Sequence, residues 1–308
     1  MDLSIIIPNY NTKEVLEKSL TKIRDSRDKF KKQVIVVDDA SKDGSSEMIK
    51  KKFPWVVLIK NNKNMGFAKS NNIGYRGAKG RYILMLNSDA FIGKNTIQKT
   101  LNFMENNPEI GVVGCRLKGE DGKIKVSIRY FRTPWRIFYF KMGWARKFHL
   151  LSIEGFGKDF SKIQECDWVP GCFLLTRKKI IDKIGFLDNN FYLYYDDVDY
   201  CFRVKKAGWK VFYYPEDVIH LGGYTTKKID PNKKHNEIDR YLMESEYLYF
   251  RKNYGLVYVF LNTFFLLLYD ILCLNKIVKG ENIKNELSHI NLTLNLLIKS
   301  RFGKKKVY

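Results

Sequence analysis

The sequence predicts an α/β protein with a mostly parallel central sheet, helices on both faces, and a helical, basic and apolar C-terminal region. Three observations carry this prediction. Unbroken apolar runs such as "SIIIP", "VIVVDD" and "YILML" alternate with amphipathic stretches over the first 115 residues. A strand covered on both faces reads as a continuous apolar run, whereas a strand with one wet face alternates. Polar clusters follow each run, and in parallel sheets ligands bind beyond those carboxyl ends.

In chain order, "LSIIIP" is a first strand and "TKEVLEKSLTKIRDS" a helix. "QVIVVDD", "DGSSEMIKKKF" and "VVLIK" follow as strand, helix and strand, and a Gly-punctuated helix over "MGFAKSNNIGYRGAKG" leads into the strand "RYILMLNSDAF". From about 116 to 166 the pattern loosens and is rich in Lys, Arg and aromatics, which predicts an irregular insert or lid. Regular structure returns with "CDWVPGCFLLTRKKIIDKIG" and runs to "WKVFYYPEDVIHLGG". "NEIDRYLMESEYLYFRKNYG" reads as a charged helix. Residues 256–274 are apolar, interrupted by Asn262 and Asp270 and flanked by lysines. Their length is close to the ~20 residues that cross a bilayer. The favoured expectation is a helix lying in or dipping into an anionic membrane surface; a buried helix and a spanning helix are the alternatives.

The 308 residues carry 55 Lys and Arg against 33 Asp and Glu, a net charge of +22. That field suits anionic lipid, nucleic acid or phosphorylated small molecules, and no nucleic-acid-binding signature accompanies it, so nucleic acid is set aside. Cys115, Cys166, Cys172, Cys201 and Cys273 are odd in number with no CxxC pair, which reads as reduced thiols in a cytoplasmic protein. The N-terminal apolar run stops at Pro8 without a basic leader, as a first strand does and a signal peptide does not.

The chemistry-bearing clusters sit at the strand ends: "PNYN" (8–11), "VVDDASKDGS" (36–45), "NMGFAKSNN" (64–72) and "LNSDA" (86–90). Asp38 and Asp39 have two readings, an acceptor for a nucleobase imide N–H or a cap on the next helix. Asp89 suits Mg²⁺ or Mn²⁺, which keep waters and borrow phosphate oxygens; a turn-forming Asn-Ser-Asp is the other reading. No GxGxxG follows a strand and no GxxxxGK[ST] occurs. "FYLYYDDVDYCFR" (191–203) packs Asp196, Asp197 and Asp199 into an apolar stretch at a helix start. Crowded, desolvated carboxylates cost folding free energy, offset here by the positive end of the helix dipole. Asp199 and Arg203 are spaced for an i, i+4 pair; Lys63, Asn64, Lys69 and Arg81 read as solvated surface, with diphosphate binding the other reading.

Taken together, "SIIIPNYN", "VIVVDDASKDGS", "NMGFAKSNNIG", "GRYILMLNSDA", "VPGCFLLTRK", "IGFLDNNFYLYYDDVDYCFR" and "GWKVFYYPEDVIHLGG" resemble the family 2 glycosyltransferases. These are inverting enzymes of GT-A fold, and the later half of the chain is most similar to the rhamnosyltransferase-type branch. The resemblance runs from residue 3 to about 223. It implies a transferase domain over 1–225, with a nucleotide-binding half (1–115) and an acceptor and catalytic half (116–225). Beyond the resemblance, residues 226–308 are expected to form a C-terminal helical, basic and apolar, membrane-associating region. The resemblance further implies a general base at Asp197 beside Asp196, which stands where Glu is more usual. Asp38 and Asp39 fall at a nucleobase-contacting position, and Pro8, Tyr10, Asn11, Asn64, Gly66, Phe67, Asn71, Asn87 and Ser88 are the further nucleotide-sugar candidates. By the same resemblance Asp89 ends a DxD-type metal motif whose first position is Asn87, and His220 matches a histidine that completes metal binding in some relatives. A lone histidine is more often structural, and as a ligand it must be neutral, so activity is expected to fall as pH drops through its titration. Trp168, Pro170 and Gly171 are acceptor-side candidates, with core packing of Trp168 equally open.

The implied partners are a UDP- or dTDP-linked sugar, a lipid-linked or polymeric glycan and the cytoplasmic face of a membrane. A non-catalytic sugar-nucleotide or polyanion binder on the same scaffold is the second reading, and a nucleotidyltransferase is disfavoured by the missing Gly-rich N-terminal loop.

Overall fold

The structure, a computed structural model, describes residues 1–144, 153–155, 157–222 and 234–277; the side chains at 234–239, 270, 271 and 273–277 are outside the description. Gly223, the basic tail after residue 277 and the side chains of Asp270 and Cys273 therefore lie outside the described residues, as does part of the insert.

The elements are β1 (Leu3–Asn9), α1 (Lys13–Arg24), β2 (Lys32–Asp38), α2 (Ser45–Lys52), β3 (Val57–Lys60), α3 (Phe67–Arg76), β4 (Tyr82–Leu86), β5 (Ala90–Ile92), α4 (Thr96–Asn106) and β6 (Ile110–Lys118). Then come α5 (Pro134–Lys141), β7 (Gln164–Cys166), β8 (Phe173–Arg177), α6 (Lys178–Ile184), α7 (Asp196–Lys206), β9 (Lys210–His220), α8 (Lys234–Asn253) and α9 (Leu256–Ile277). The chain divides into two units, one of residues 1–129 and 158–234, the other of residues 130–157 and 235–308.

In the first unit the strands form one sheet ordered β3-β2-β1-β4-β8-β6-β9-β5, with β7 paired to β9. The half β3-β2-β1-β4 is entirely parallel, as the apolar runs predict. All five residues of β4 are buried, and its Ile, Leu and Met side chains each contribute roughly 1.5–3 kcal/mol on leaving water. Leu3, Ile5 and Ile7 of β1 share one core cluster with Leu16 and Leu20 of α1, the period-2 and period-3.6 faces meeting. The sheet is mixed beyond this half, because β8 lies antiparallel between β4 and β6, with Leu86 opposite Phe173. An antiparallel strand begins where its neighbour ends, so the residues just before β8 stand at the carboxyl end of β4. The insert expected from residue 116 starts as sheet, since β6 continues to Lys118, and β7 adds a strand before 166.

The second unit groups residues 130–157 with the C-terminal helices. Aromatic contacts join α5 to α9, Phe138 to Phe265 and Trp135 to Tyr258, with ring centroids 5.4 and 5.9 Å apart. Glu246 of α8 accepts from Arg132 at 2.8 Å and from the Asn262 amide of α9 at 3.3 Å. The Tyr247 and Thr263 hydroxyls are 2.5 Å apart. Among the described residues, no helix is long and apolar enough to cross a membrane.

Candidate active site

The site is built on the first unit, at the carboxyl ends of β1, β2 and β4. Asn9 at the tip of β1 donates to Asp38 Oδ1 (2.8 Å), and the Ser46 hydroxyl donates to Asp38 Oδ2 (2.8 Å). Asp39 accepts from Asn61 (2.6 Å) and from Ser70 of α3 (2.7 Å). Both carboxylates are buried; burial pushes Asp39 up, opposed by the Ser70 and Asn61 hydrogen bonds. They therefore lace together the loops after β1, β2 and β3, and each keeps acceptor capacity. Asn11 adopts φ 53° between Pro8–Tyr10 and α1, accepts from the Lys42 N–H, and its own N–H donates to Ser41.

Thr12 carries the lacing to β4, its hydroxyl donating to Asn9 Oδ1 at 2.5 Å and lying 2.9 Å from the Ser88 hydroxyl, from which it accepts. Beside Ser88, Asp89 Oδ1 lies 3.3 Å from His220 Nε2, and Asp89 Oδ2 accepts from the Gly222 N–H at 3.1 Å. Asn87 Nδ2 is 3.3 Å from the same imidazole nitrogen, while Asn87 Oδ1 is buried with no hydrogen-bond partner. Burial alone would lower His220; the Cys172 sulfur and the Asp89 carboxylate outweigh it and raise the imidazole to about 10. Against its own burial, Asp89 is held below the usual carboxylate range by His220 and the Gly222 N–H. The Asp89 carboxylate thus favours the imidazolium, whereas coordination of a cation requires the neutral ring. An orphaned amide oxygen, a carboxylate and an imidazole are a donor set that fits Mg²⁺ or Mn²⁺. Among the described residues no three or more His, Cys, Asp or Glu side chains gather into a metal cluster.

The acids of α7 join this rim through β8. The Asn87 N–H donates to the Cys172 carbonyl at 3.1 Å, and the neighbouring Gly171 N–H donates to Asp197 Oδ2 at 2.8 Å. Asp197 Oδ1 accepts from the Val198 N–H at 2.8 Å. A Cβ on Gly171 would stand 2.7 Å from Met85 Cε and 3.5 Å from Asp197 Oδ2, so only glycine permits this approach without displacement. The two acids differ in access: Asp197 is half-buried, Asp196 is 4% exposed, and Asp196 Oδ2 has no hydrogen-bond partner. Burial, and then the charge of Asp197, pushes Asp196 well above the usual carboxylate range. Burial also raises Asp197, pulled back by the Gly171 and Val198 N–H groups and the Arg129 guanidinium. That guanidinium lies over the Trp168 ring, 5.3 Å from its centroid, and the Arg129 carbonyl accepts from the Trp168 N–H. Asp199 is fully buried and pairs with Arg203 at 2.8 Å, the structural role its spacing suggests.

Gly66 closes the rim on the α3 side. Its φ of 83° and the Tyr192 ring, 2.9 Å from where a Cβ would stand, exclude a side chain there. Asn64 accepts from the Gly66 N–H at 2.9 Å, Phe67 opens α3, and Asn71 donates to the Phe67 carbonyl at 3.0 Å. Pro170 precedes Gly171 and is partly exposed. Arg81 is remote, opening β4 at its other end and pairing with Asp2 and Glu105. Sequence reasoning missed Thr12, Cys172 and Arg129, which carry no spacing signal and become neighbours only through β1, β8 and the segment after β6. The four cysteines with described side chains are free and buried.

The family model described as "Glycosyl transferase family 2" matches residues 4–185. The match ends before α7, so Asp196, Asp197 and His220 stand outside it. The N-acetylglucosaminyl-diphospho-decaprenol L-rhamnosyltransferase of Mycobacterium tuberculosis is 24% identical over 218 residues, 64% of this chain and 69% of that protein. The poly(ribitol-phosphate) beta-glucosyltransferase of Bacillus spizizenii is 34% identical over 128 residues, 40% of this chain and 20% of that longer protein. Among solved structures, S. aureus TarS 1-349 superposes with a TM-score of 0.59 at 16% identity, covering 97% of this chain and 81% of that one. Mannosyltransferase PcManGT from Pyrobaculum calidifontis, in complex with GDP-Man and Mn²⁺, gives 0.60 at 16% identity, covering 98% and 88%. At that identity the likeness concerns the fold, which is of the GT-A kind.

Proposed function

The chain belongs to glycosyl transferase family 2, and from that premise we propose that it is an inverting transferase with Asp197 as its general base. The donor is a UDP- or dTDP-linked sugar, with rhamnose the first candidate. The acceptor is a hydroxyl of a lipid-linked or polymeric glycan, met at the cytoplasmic face of a membrane. Relatives whose names specify rhamnosyl transfer to a decaprenol-linked sugar and glucosyl transfer to poly(ribitol-phosphate) support this substrate class.

The observation that carries the reading is the short path from Asp197 through Gly171 and Cys172 to Asn87 and Asp89. In this reading a half-buried carboxylate stands beside the cluster that would take a nucleotide diphosphate. Asp197 takes the proton of the acceptor hydroxyl as that oxygen forms the new bond to C1 and the C1–diphosphate bond breaks. One direct displacement needs no second nucleophilic carboxylate, which leaves Asp196 to hold Asp197 by repulsion and position. Gly171 orients the base through its N–H, and Arg129 steadies its charge. Asp89, His220 and the Asn87 carbonyl oxygen are the groups that would hold a divalent cation, which when bound neutralises charge on the leaving diphosphate. Asp38 and Asp39 serve as the wall of the nucleobase subsite, their remaining lone pairs facing an imide N–H.

Calorimetry with UDP, dTDP and GDP, each with Mn²⁺ and with EDTA, tests this reading. One pyrimidine diphosphate is expected to bind with Mn²⁺, and Asp89→Ala to weaken it by about tenfold or more. No binding of any of the three by folded protein would return the chain to the non-catalytic reading.

A further inference from the structure

The helix α9 of the second unit is inverted in polarity. Its buried face carries Asn262 and Thr263, 1% and 4% exposed and bonded to Glu246 and Tyr247 of α8, beside Val259 and Leu266. Its exposed face is apolar: Val257 is 68% exposed, Phe260 47%, Phe264 57% and Leu272 54%, with Leu261 beside them. At about 100° per residue these five positions fall within a sector of about 120°, opposite the buried set. A helix of a water-facing domain shows the reverse arrangement. Trp135 and Trp144 of the same unit are also exposed, and indole rings favour the headgroup level of a bilayer.

We propose that this face of α9 is a docking surface for an anionic lipid bilayer. Charge complementarity selects the occupant. Lys141 is exposed and sits 4.8 Å from the centroid of the Tyr269 ring of α9. Lys252 is exposed at the end of α8, four residues before α9 begins. Cations flanking an apolar stripe are the pattern that binds the interface of anionic membranes. This deepens the membrane part of the proposed function, and lipid binding can be read without any transfer activity.

The test is co-sedimentation of the full chain with phosphatidylcholine vesicles, with and without phosphatidylglycerol. Binding to the anionic vesicles is expected, reduced by high salt. Phe260→Ser with Phe264→Ser is expected to lower partitioning about tenfold or more while circular dichroism and nucleotide binding stay unchanged. The unsubstituted chain supplies a second measurement: brominated acyl chains should quench tryptophan fluorescence, and Trp135→Phe with Trp144→Phe should remove most of that quenching. Binding that ignores the Phe substitutions, or vesicles that leave the tryptophans unquenched, overturns the proposal. So does a lipid-free dimer, seen by light scattering, that the same substitutions dissociate without changing vesicle binding. Loss of nucleotide binding with vesicle binding intact would instead strike the transferase reading.

Discussion

Asp197 and Asp196 are adjacent in sequence, and their surroundings separate them. Asp197 is half-buried with backbone N–H donors on both oxygens; Asp196 is buried with one oxygen orphaned. A base must be deprotonated to act, and burial raises the Asp197 pKa. Activity is therefore present above the raised value and lost as pH falls through it. The acid limb of kcat should have its midpoint above the ordinary carboxylate value of about 4. Asp197→Asn should remove that limb and lower kcat by about 10²–10⁴ with nucleotide binding unchanged. A limb centred at or below the ordinary carboxylate value would contradict the assignment. The pair of aspartates is visible in the sequence; which of the two a substrate can reach is not, because it depends on what packs over each.

At the scale of the element, α7 gathers Asp196, Asp197 and Asp199 in its first turn and Arg203, Lys205 and Lys206 in its last, each end matching the helix dipole. The chain enters it through Tyr194 and Tyr195 at φ 66° and 64°, a left-handed conformation that costs side-chain-bearing residues roughly 1–2 kcal/mol each. Strain and a buried acid at one helix start indicate stability given up for position. The folded pKa of Asp196 is raised, so its contribution is fully present below the unfolded value and lost as pH rises through the folded one. Asp196→Asn should then melt about 2 °C higher than the parent at neutral pH, equivalent to ~1 kcal/mol, with the gain vanishing toward pH ~4. Matched melting curves at both pH values check this, and a parent that is the more stable at neutral pH would refute it. The helix and its acids are legible in "DDVDYCFRVKK"; the left-handed entry is not, since nothing about Tyr-Tyr favours positive φ.

At the scale of the whole molecule, residues distant in sequence form the second unit. Arg132, Glu246 and Asn262 meet in one polar network, with the Glu246 and Arg132 side chains 13% and 27% exposed. Glu246→Ala takes this acceptor from both partners and should cost about 2 kcal/mol, less than for a fully buried pair because water reaches the guanidinium. Denaturant titration of the full chain should show the loss, and an unchanged midpoint would mean the network contributes specificity without stability. The sequence-based division at residue 225 treats 116–225 as one half of a domain, whereas the structure assigns 130–157 to the C-terminal helices. Composition could not show this, because an aromatic, basic segment is compatible with packing against either partner.

The sequence by itself determined the alternating elements, the parallel half of the sheet and the polar residues at its carboxyl edge, since periodicity and strand-end position are local properties. It also determined the family, through short motifs in a set order. Tertiary structure alone decided which of those motifs come together at one candidate site. The antiparallel placement of β8 brings Gly171 and Cys172 to the tip of β4, and through them Asp197 to Asn87 and Asp89. It alone turned the apolar face of α9 outward and its Asn-Thr face inward. Hydrophobicity along a chain records how much apolar surface exists; which side of it is covered depends on partners far away in sequence.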